Sequence, residues 1–316
     1  MDVWTRDLGD GVHAIDTQMG GYPGITAGYA LLTSRPCLVE TGAAKSAGNV
    51  RDALAALGVG PSDLATVVVT HIHLDHAGGV GDVARMYPTA EVVVHERGAR
   101  HLIDPAKLVA SARRVYGEVM DEVFGDLLPT EAARVRSLDD GDTVDLGGGR
   151  MLTAYYSPGH AQHHVGLLDS LTGDLYVGDA AGIYIPEKAL VRPSTPPPDF
   201  DLDAALASLD RFRALQPARL LFSHFGPVDV VDETLERSKE ELQLWVELVK
   251  EARASQLDLD HAVALIRERT AERYASLLAD PTVEEKFEKL NATAANVVGI
   301  NRWLDSLESA AATQSS

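Results

Sequence analysis

Apolar and polar positions alternate in short blocks over the first two thirds of the chain and settle into helical stripes over the last third. Val12 to Ile15, Ala27 to Thr33 and Cys37 to Glu40 read as short strands broken by Gly and Pro. Ala47 to Leu57 carries Val50, Leu54 and Leu57 at helical spacing and stops at Gly58 and Gly60. The β-branched run Val67, Val68, Val69, bounded upstream by Pro61-Ser62-Asp63, predicts a short buried strand, and Glu91 to Val94 predicts another. Between them Gly78-Gly79 turns the chain into a short helix spaced by Val80, Val83, Ala84 and Met86. Residues 107–136 read as helical by the spacing of Leu108, Val115, Val119, Val123 and Leu127, although Gly117 and Gly125 interrupt them.

Further on, Asp139-Asp140-Gly141-Asp142 marks a turn and Gly147-Gly148-Gly149 a hairpin. Met151 to Tyr156 is a strand, and Val165 to Asp169 pairs with Leu175 to Val177 across Ser170 to Asp174. Gly182 to Phe200 contains Pro186, Pro193, Pro196, Pro197 and Pro198, so it predicts an irregular loop suited to the rim of a site. Leu202 to Leu215 predicts a helix capped by Asp199 or Asp201, and Leu220 to Phe222 a last strand. From Asp232 onward helix formers dominate. Leu235, Leu242, Trp245, Val246 and Val249 make one stripe, Ala262, Leu265 and Ile266 a second, and Val297, Ile300, Trp303 and Leu304 a third. The expected organisation is a catalytic domain over residues 1–230 and a helical appendage over 231–316, ending in a frayed tail from Ala310.

Composition narrows the function. A chain of 316 residues can bury a sizeable core. Lys+Arg 28 against Asp+Glu 47 gives a net charge of −19, which repels nucleic acid and anionic membranes and disfavours phosphate-backbone substrates. Cys37 is the single cysteine, so no intrachain disulfide forms. The charged stretch Met1 to Asp10 lacks an apolar signal core, and no run approaches the ~18 apolar residues of a membrane helix. These features predict a cytoplasmic protein with no membrane partner.

The chemistry concentrates in Thr70-His71-Ile72-His73-Leu74-Asp75-His76-Ala77-Gly78-Gly79, which follows the Val67 to Val69 run at the carboxyl end of a strand. His71 and His73 are two apart, so in extended chain both imidazoles point the same way, while Asp75 and His76 follow where the chain turns. A polar loop with incidental histidines is the bland alternative. Imidazole and carboxylate at every one of these positions instead match the ligand preferences of zinc and similar divalent ions.

This stretch resembles the H-x-H-x-D-H signature of the metallo-β-lactamase superfamily, and the family's other segments follow in order. Ser157-Pro158-Gly159-His160 looks like its T-P-G-H, Tyr176-Val177-Gly178-Asp179 like its strand ending in G-D, and Leu220-Leu221-Phe222-Ser223-His224-Phe225-Gly226 like its last strand. Glu40-Thr41-Gly42 stands where the family usually has D-T-G, one methylene longer. The resemblance covers roughly residues 10–230 and implies an α/β fold, a four-layer αβ/βα sandwich with the helical appendage added. It also implies two divalent metals, zinc with iron or manganese as alternatives. One is held by His71, His73 and His160, the other by Asp75, His76 and His224, with Asp179 bridging. Such a site supplies a hydroxide that attacks an acyl carbon. Asp75 would orient that nucleophile and pass its proton to the leaving group. Tyr184, five residues after Asp179, either donates to the developing oxyanion or packs the loop. His164 matches a further family histidine expected to support a ligand, His163 is its neighbour or a turn residue, and His95 and His101 read as structural.

Within the superfamily the chain resembles glyoxalase II-like and lactonase-like branches but departs from both. Ala180-Ala181-Gly182-Ile183 lacks a glutathione-contact pattern, and Gly182 stands where acyl-homoserine lactonases place a tyrosine. The expected function is hydrolysis of a small ester, thioester or lactone. The alternatives are a hydroxyacylglutathione hydrolase, a phosphodiesterase or nuclease, and a di-iron redox protein of the same fold. Ile183, Tyr184, Ile185, Pro186, Pro196 to Pro198 and Phe200 predict one apolar wall, with Lys188 and Arg192 as its cations. Val115, Tyr116, Val119 and Met120 predict the opposite one, so the partner is a small acyl compound. The apolar stripes of the appendage suggest a homodimer.

Overall fold

The computed structural model describes residues 4–314; residues 1–3 and 315–316, the outer ends of the charged N-terminal stretch and of the expected tail, lie outside the described residues. Two compact units are distinguished. The first comprises the chain through Tyr156 with His163–Gly178 and Pro217–Asp229; the second comprises Ser157–Gln162, Asp179–Gln216 and the chain from Val230 on.

In the first unit the strands β1 (Thr5–Asp7), β2 (Val12–Asp16), β3 (Ala27–Leu31), β4 (Cys37–Val39), β5 (Thr66–Val68), β6 (Glu91–His95) and β7 (Val135–Leu138) form a seven-stranded sheet in that order. β1 to β4 are antiparallel and β4 to β7 parallel. The parallel half is the part whose sequence runs continuously apolar, as strands covered on both faces require. Its crossovers carry the helices α1 (Ala47–Ala56), α2 (Leu74–Ala77), α3 (Val80–Met86), α4 (Glu96–Ile103) and α5 (Ala106–Tyr116). The second sheet contains β8 (Thr143–Gly147), β9 (Arg150–Tyr156), β10 (Val165–Asp169) and β11 (Asp174–Gly178). After the hairpin β12 (Ile183–Ile185) and β13 (Leu190–Arg192), β14 (Arg219–Phe222) and β15 (Gly226–Val228) complete it in the order β15-β14-β11-β10-β9-β8. β11 and β14 are parallel.

The two sheets share one core. Tyr29, Leu31, Val39, Val68 and Val93 from the first pack with Leu152, Val165, Leu167, Tyr176 and Leu221 from the second. Each such fully buried side chain contributes roughly 1.5–3 kcal/mol. The Tyr29 hydroxyl donates to the Phe222 carbonyl at 2.5 Å, and its ring meets Tyr176 edge-on at 5.3 Å. Cys37 is buried here, and burial pushes its thiol far above the usual range, so it is no nucleophile.

The helix expected over residues 107–136 forms only as far as Tyr116. Gly117 takes φ +55°, one π turn follows at Met120–Phe124, and β7 begins at Val135. Val115 and Val119 are 70% and 43% exposed, so their helical spacing does not mark a face turned to the core.

In the second unit, β12 and β13 pair antiparallel within the proline-rich stretch that was expected to be irregular. Pro186 lies in the turn and Pro193 just after β13, so these prolines flank the ladder instead of interrupting it. The helix α6 (Leu202–Ala214) is capped by Asp201, whose carboxylate accepts from the Ala204 N–H at 2.9 Å. Helices α7 (Val231–Ala254), α8 (Leu259–Thr270), α9 (Ala275–Leu278), α10 (Pro281–Leu290) and α11 (Thr293–Gln314) follow. Among the described side chains of α9 and α10 the fully buried apolar ones are chiefly Leu277 and Phe287, too few to announce a stripe. α11 continues past Ala310 to Gln314 through a stretch of alanines, where a frayed tail was expected. Among the described residues no helix is long and apolar enough to cross a membrane.

Candidate metal centre

In the first unit, two ligand-bearing segments leave the ends of β5 and β14. Two residues after β5 the extended chain reaches His71; His73 ends the extended part (φ −62°, ψ 150°), and α2 then places Asp75 in its first turn and His76 beside it. His71 and His76 are buried, and their ring centres are 4.0 Å apart, with His73 4.6 Å from His71. His224 lies two residues beyond β14. Its Nε2 is 3.1 Å from His76 Nε2 and 3.3 Å from Asp75 Oδ2, and His76 Nε2 is 3.6 Å from the same carboxylate oxygen.

The hydrogen-bond partners fix which ring nitrogen turns inward. His224 Nδ1 lies 2.8 Å from the Ile25 carbonyl, which can only accept, so Nδ1 carries the hydrogen and Nε2 faces Asp75 and His76. Two N–H groups cannot point at each other across the 3.1 Å between His224 Nε2 and His76 Nε2, so at least one lone pair lies in that gap. A cluster of inward nitrogens with a carboxylate suits a divalent cation, and this donor chemistry is what zinc, iron or manganese accept. Asp75, His76 and His224 each offer a ligand atom, all within 4.8 Å of one another.

Two further histidines sit against this cluster. The His163 ring stacks on His71 at 6.1 Å, and its Nδ1 accepts from the Ile72 N–H at 3.4 Å. His164, fully buried, has its ring centre 5.1 Å from that of His71. Its approach depends on Gly178 at φ +51°, where a Cβ would collide with His164 Nε2 and Thr70 Oγ1. His95 is used differently. It caps α4 by accepting from the Arg97 N–H at 3.3 Å and stacks on Tyr156.

The second unit places His160 and Asp179 together, His160 Nε2 being 3.6 Å from Asp179 Oδ2. The same tautomer logic holds, since His160 Nδ1 lies 3.0 Å from the Ser194 carbonyl, while the Ser194 hydroxyl donates to Asp179 Oδ2 at 3.3 Å. Gly159 at φ +129° lets the first turn of α6 come close enough that any Cβ would strike Ala205. Beside these residues Ala181, Phe200, Ser238 and Leu242 line a small recess. Nothing in the sequence singled out Ser194, because the contact that matters most comes from its backbone.

Tyr184 is half-buried on β12 between the buried Ile183 and Ile185, so alternation turns it to the opposite face, and burial raises its phenol above the usual range. The two expected cations of this wall are engaged. Lys188 pairs with Asp280 at 3.0 Å, and the buried Arg192 pairs with Glu288 at 3.3 Å, its guanidinium lying over Trp245 and Tyr274. In the first unit Met120 is buried, whereas Val115, Tyr116 and Val119 are exposed. Burial, and then the nearby Asp75 charge, push the Tyr116 phenol up to about 12, although 44% of the residue's surface stays open.

Comparison with known proteins gives this arrangement its place. The chain is 34% identical over 190 residues to a metallo-beta-lactamase fold-containing protein of Sulfurisphaera tokodaii, covering 58% of this chain and 70% of that one. It is 31% identical over 113 residues to an N-acyl homoserine lactonase of Azorhizobium caulinodans, covering 36% and 38% of the two. It is 28% identical over 130 residues to a hydroxyacylglutathione hydrolase of Synechococcus, covering 41% and 38%. The crystal structure of a metallo-beta-lactamase family protein from Thermus thermophilus shares the fold over 96% of this chain and 95% of its own, with a TM-score of 0.65 at 23% identity. The family model of the metallo-beta-lactamase superfamily matches residues 26–224. That span takes in the strand-end histidines from His71 to His224, and the chain belongs to the metallo-beta-lactamase superfamily.

Proposed function

We propose that the chain is a hydrolase of a small lactone, ester or thioester. It would work with two divalent metals, one held by His71, His73 and His160, the other by Asp75, His76 and His224, with Asp179 shared. The observation that carries this reading is the meeting of Asp75 Oδ2, His76 Nε2 and His224 Nε2 at 3.1–3.6 Å, with His224 anchored through its far nitrogen. When bound, the metals would polarise the scissile carbonyl and lower the pKa of an attacking water toward neutrality.

The chain's own residues would do the rest. Asp75 takes up the proton released as water adds to the carbonyl and returns it to the leaving alkoxide or thiolate. Ser194 holds Asp179 and His160 from one residue, with its hydroxyl on the first and its carbonyl on the second. Tyr184 would donate its hydroxyl to the oxyanion.

The engaged cations favour an uncharged acyl substrate. With Lys188 and Arg192 held by Asp280 and Glu288, the wall after Asp179 has neither of them to spare for the carboxylates of glutathione or for a phosphodiester. The named lactonase relative agrees with an acyl substrate, and less than half of that protein is matched. A side-by-side panel of lactones, aryl esters and acyl thioesters against S-lactoylglutathione and bis-aryl phosphodiesters tests the reading. An uncharged lactone or ester should turn over fastest. If S-lactoylglutathione or a phosphodiester proved the best substrate, the acyl-pocket argument would be wrong.

A further inference from the structure

Helix α5 ends on Tyr116. At Gly117 the chain reverses (φ 55°, ψ −127°), and the π turn at Met120–Phe124 folds back until the buried Phe124 ring lies 4.8 Å from the Tyr116 ring. Charge pins this turn from two sides. Arg113 clamps Asp121 at 2.9 Å and Asp126 at 2.8 Å, and Lys45 Nζ donates to the Asp121 carbonyl at 2.5 Å and the Glu122 carbonyl at 3.3 Å.

Close packing ties the turn to the ligand loop within the first unit. A Cβ on Gly125 would meet Lys45 Cγ at 3.1 Å and Ala44 Cβ at 3.3 Å. One on Gly78, the residue after α2, would meet Ala44 N at 3.0 Å and Ala43 Cα at 3.1 Å. The turn and α2 therefore pack on the same short segment, residues 43–45, and α2 carries Asp75 and His76. The Tyr116 phenol is close enough to feel the Asp75 charge. Its ring is backed by Phe124, yet 44% of the residue stays open, and among the described residues its hydroxyl bonds to no protein group.

A free phenol beside Asp75 meets a specific need. An alkoxide leaving next to a carboxylate gathers negative charge where negative charge is already held, and a neutral O–H donor offsets that repulsion. We propose that Tyr116 is a catalytic residue for the leaving group, its hydroxyl donating a hydrogen bond to the departing oxygen or sulfur as the bond to the acyl carbon breaks. The phenol keeps its proton; the one that ends on the leaving group is the proton Asp75 took from the attacking water. The inference rests on the hydrolase reading and narrows it to substrates whose leaving group needs such help, alkyl esters and lactones before activated aryl esters.

The test compares the zinc-reconstituted full-length parent with Tyr116→Phe on butyrate esters of p-nitrophenol, phenol, trifluoroethanol and ethanol. Tyr116→Phe should lose about tenfold in kcat/KM on the ethyl ester and less than about twofold on the p-nitrophenyl ester, with metal content unchanged. The dependence of rate on leaving-group acidity should thus steepen, which loss of packing alone would not cause. Fluorine NMR of a fluorotyrosine placed at position 116 gives a second readout. Its resonance should shift when ethyl propylphosphonate, a stable mimic of the tetrahedral intermediate, is added. An active parent whose leaving-group dependence is unchanged in Tyr116→Phe would overturn the proposal alone, as would a fluorine resonance that stays put while the phosphonate inhibits. If Tyr116→Phe fails to fold, the fluorotyrosine protein decides. A parent that hydrolyses none of the esters would overturn the hydrolase reading and this proposal with it.

Discussion

The ligand cluster of the first unit and the hairpin after Asp179 in the second are held by different means. In the first, His224 is held through its Nδ1 by the Ile25 carbonyl, two residues before β3, and His71 meets Thr70, whose hydroxyl donates to the buried Glu40 carboxylate. In the second, the hairpin after Asp179 is held to the helices that follow it by charge. Lys188 pairs with Asp280, Lys286 with Glu187, and Arg192 with Glu288. Thr195 adds a polar tie, donating both its N–H and its hydroxyl to Asn296 Oδ1. The contrast separates the chemistry, which needs ligand geometry fixed to fractions of an ångström, from the substrate wall, which needs only to be kept in place.

The largest effect that bears on this contrast is expected in the first unit. Asp75→Asn should lower kcat by about 10²–10⁴-fold, the usual contribution of a positioned acid–base group, and by more than it lowers metal content. Rate and metal content falling in equal proportion would reduce Asp75 to a ligand only.

Breaking the second unit's main clamp should act on stability instead. Glu288→Ala leaves the Arg192 guanidinium buried without its carboxylate, and loss of one partner from a buried pair costs about 3–5 kcal/mol. Glu288 is itself about a quarter exposed, which places the expected loss near the lower end, about 3 kcal/mol. Denaturant unfolding reads it, and a loss under about 1 kcal/mol would show that the hairpin is held by apolar packing.

A smaller effect concerns Tyr184. Tyr184→Phe should reduce turnover about tenfold if the hydroxyl donates to the oxyanion, the equivalent of about 1.4 kcal/mol. An unchanged turnover number would make it a packing residue of the hairpin.

The smallest is a pH effect on the same clamp. Burial pushes the Glu288 carboxyl up, but the Arg192 charge and the Thr293 hydrogen bonds outweigh it and hold the group below the usual carboxylate range. A folded-state pKa that is lowered contributes stability above the unfolded value, near 4.3, and loses it as pH falls through the folded one. Acid unfolding of the parent should therefore steepen below about pH 4.3, and Glu288→Gln should flatten that part of the profile. Superimposable profiles would remove Glu288 from the acid response.

These differences also explain what the sequence discloses. The ligand-bearing segments were legible because each follows an apolar run that folds as a strand: β5 before His71, β9 before His160, β11 before Asp179 and β14 before His224. Residue type and local order suffice there. The anchors are a different matter. Ile25 and Ser194 act through backbone carbonyls, which every residue possesses, so no side-chain pattern marks them. The β12–β13 hairpin was hidden by prolines that lie outside its ladder, and α10 because, among its described side chains, Phe287 is the fully buried apolar one. The run from Val115 to Leu127 shows the opposite error, a helical spacing in residues whose backbone turns at Gly117.

Metal content tests the central claim most directly. Elemental analysis of the purified protein, before and after reconstitution with zinc, iron or manganese, should find about two ions per chain, as expected for a binuclear site of this kind. His71→Ala with His73→Ala should bring that to about one while the fold persists, since a core of this size does not depend on the metal. One ion or fewer in the reconstituted parent would contradict the two-metal account.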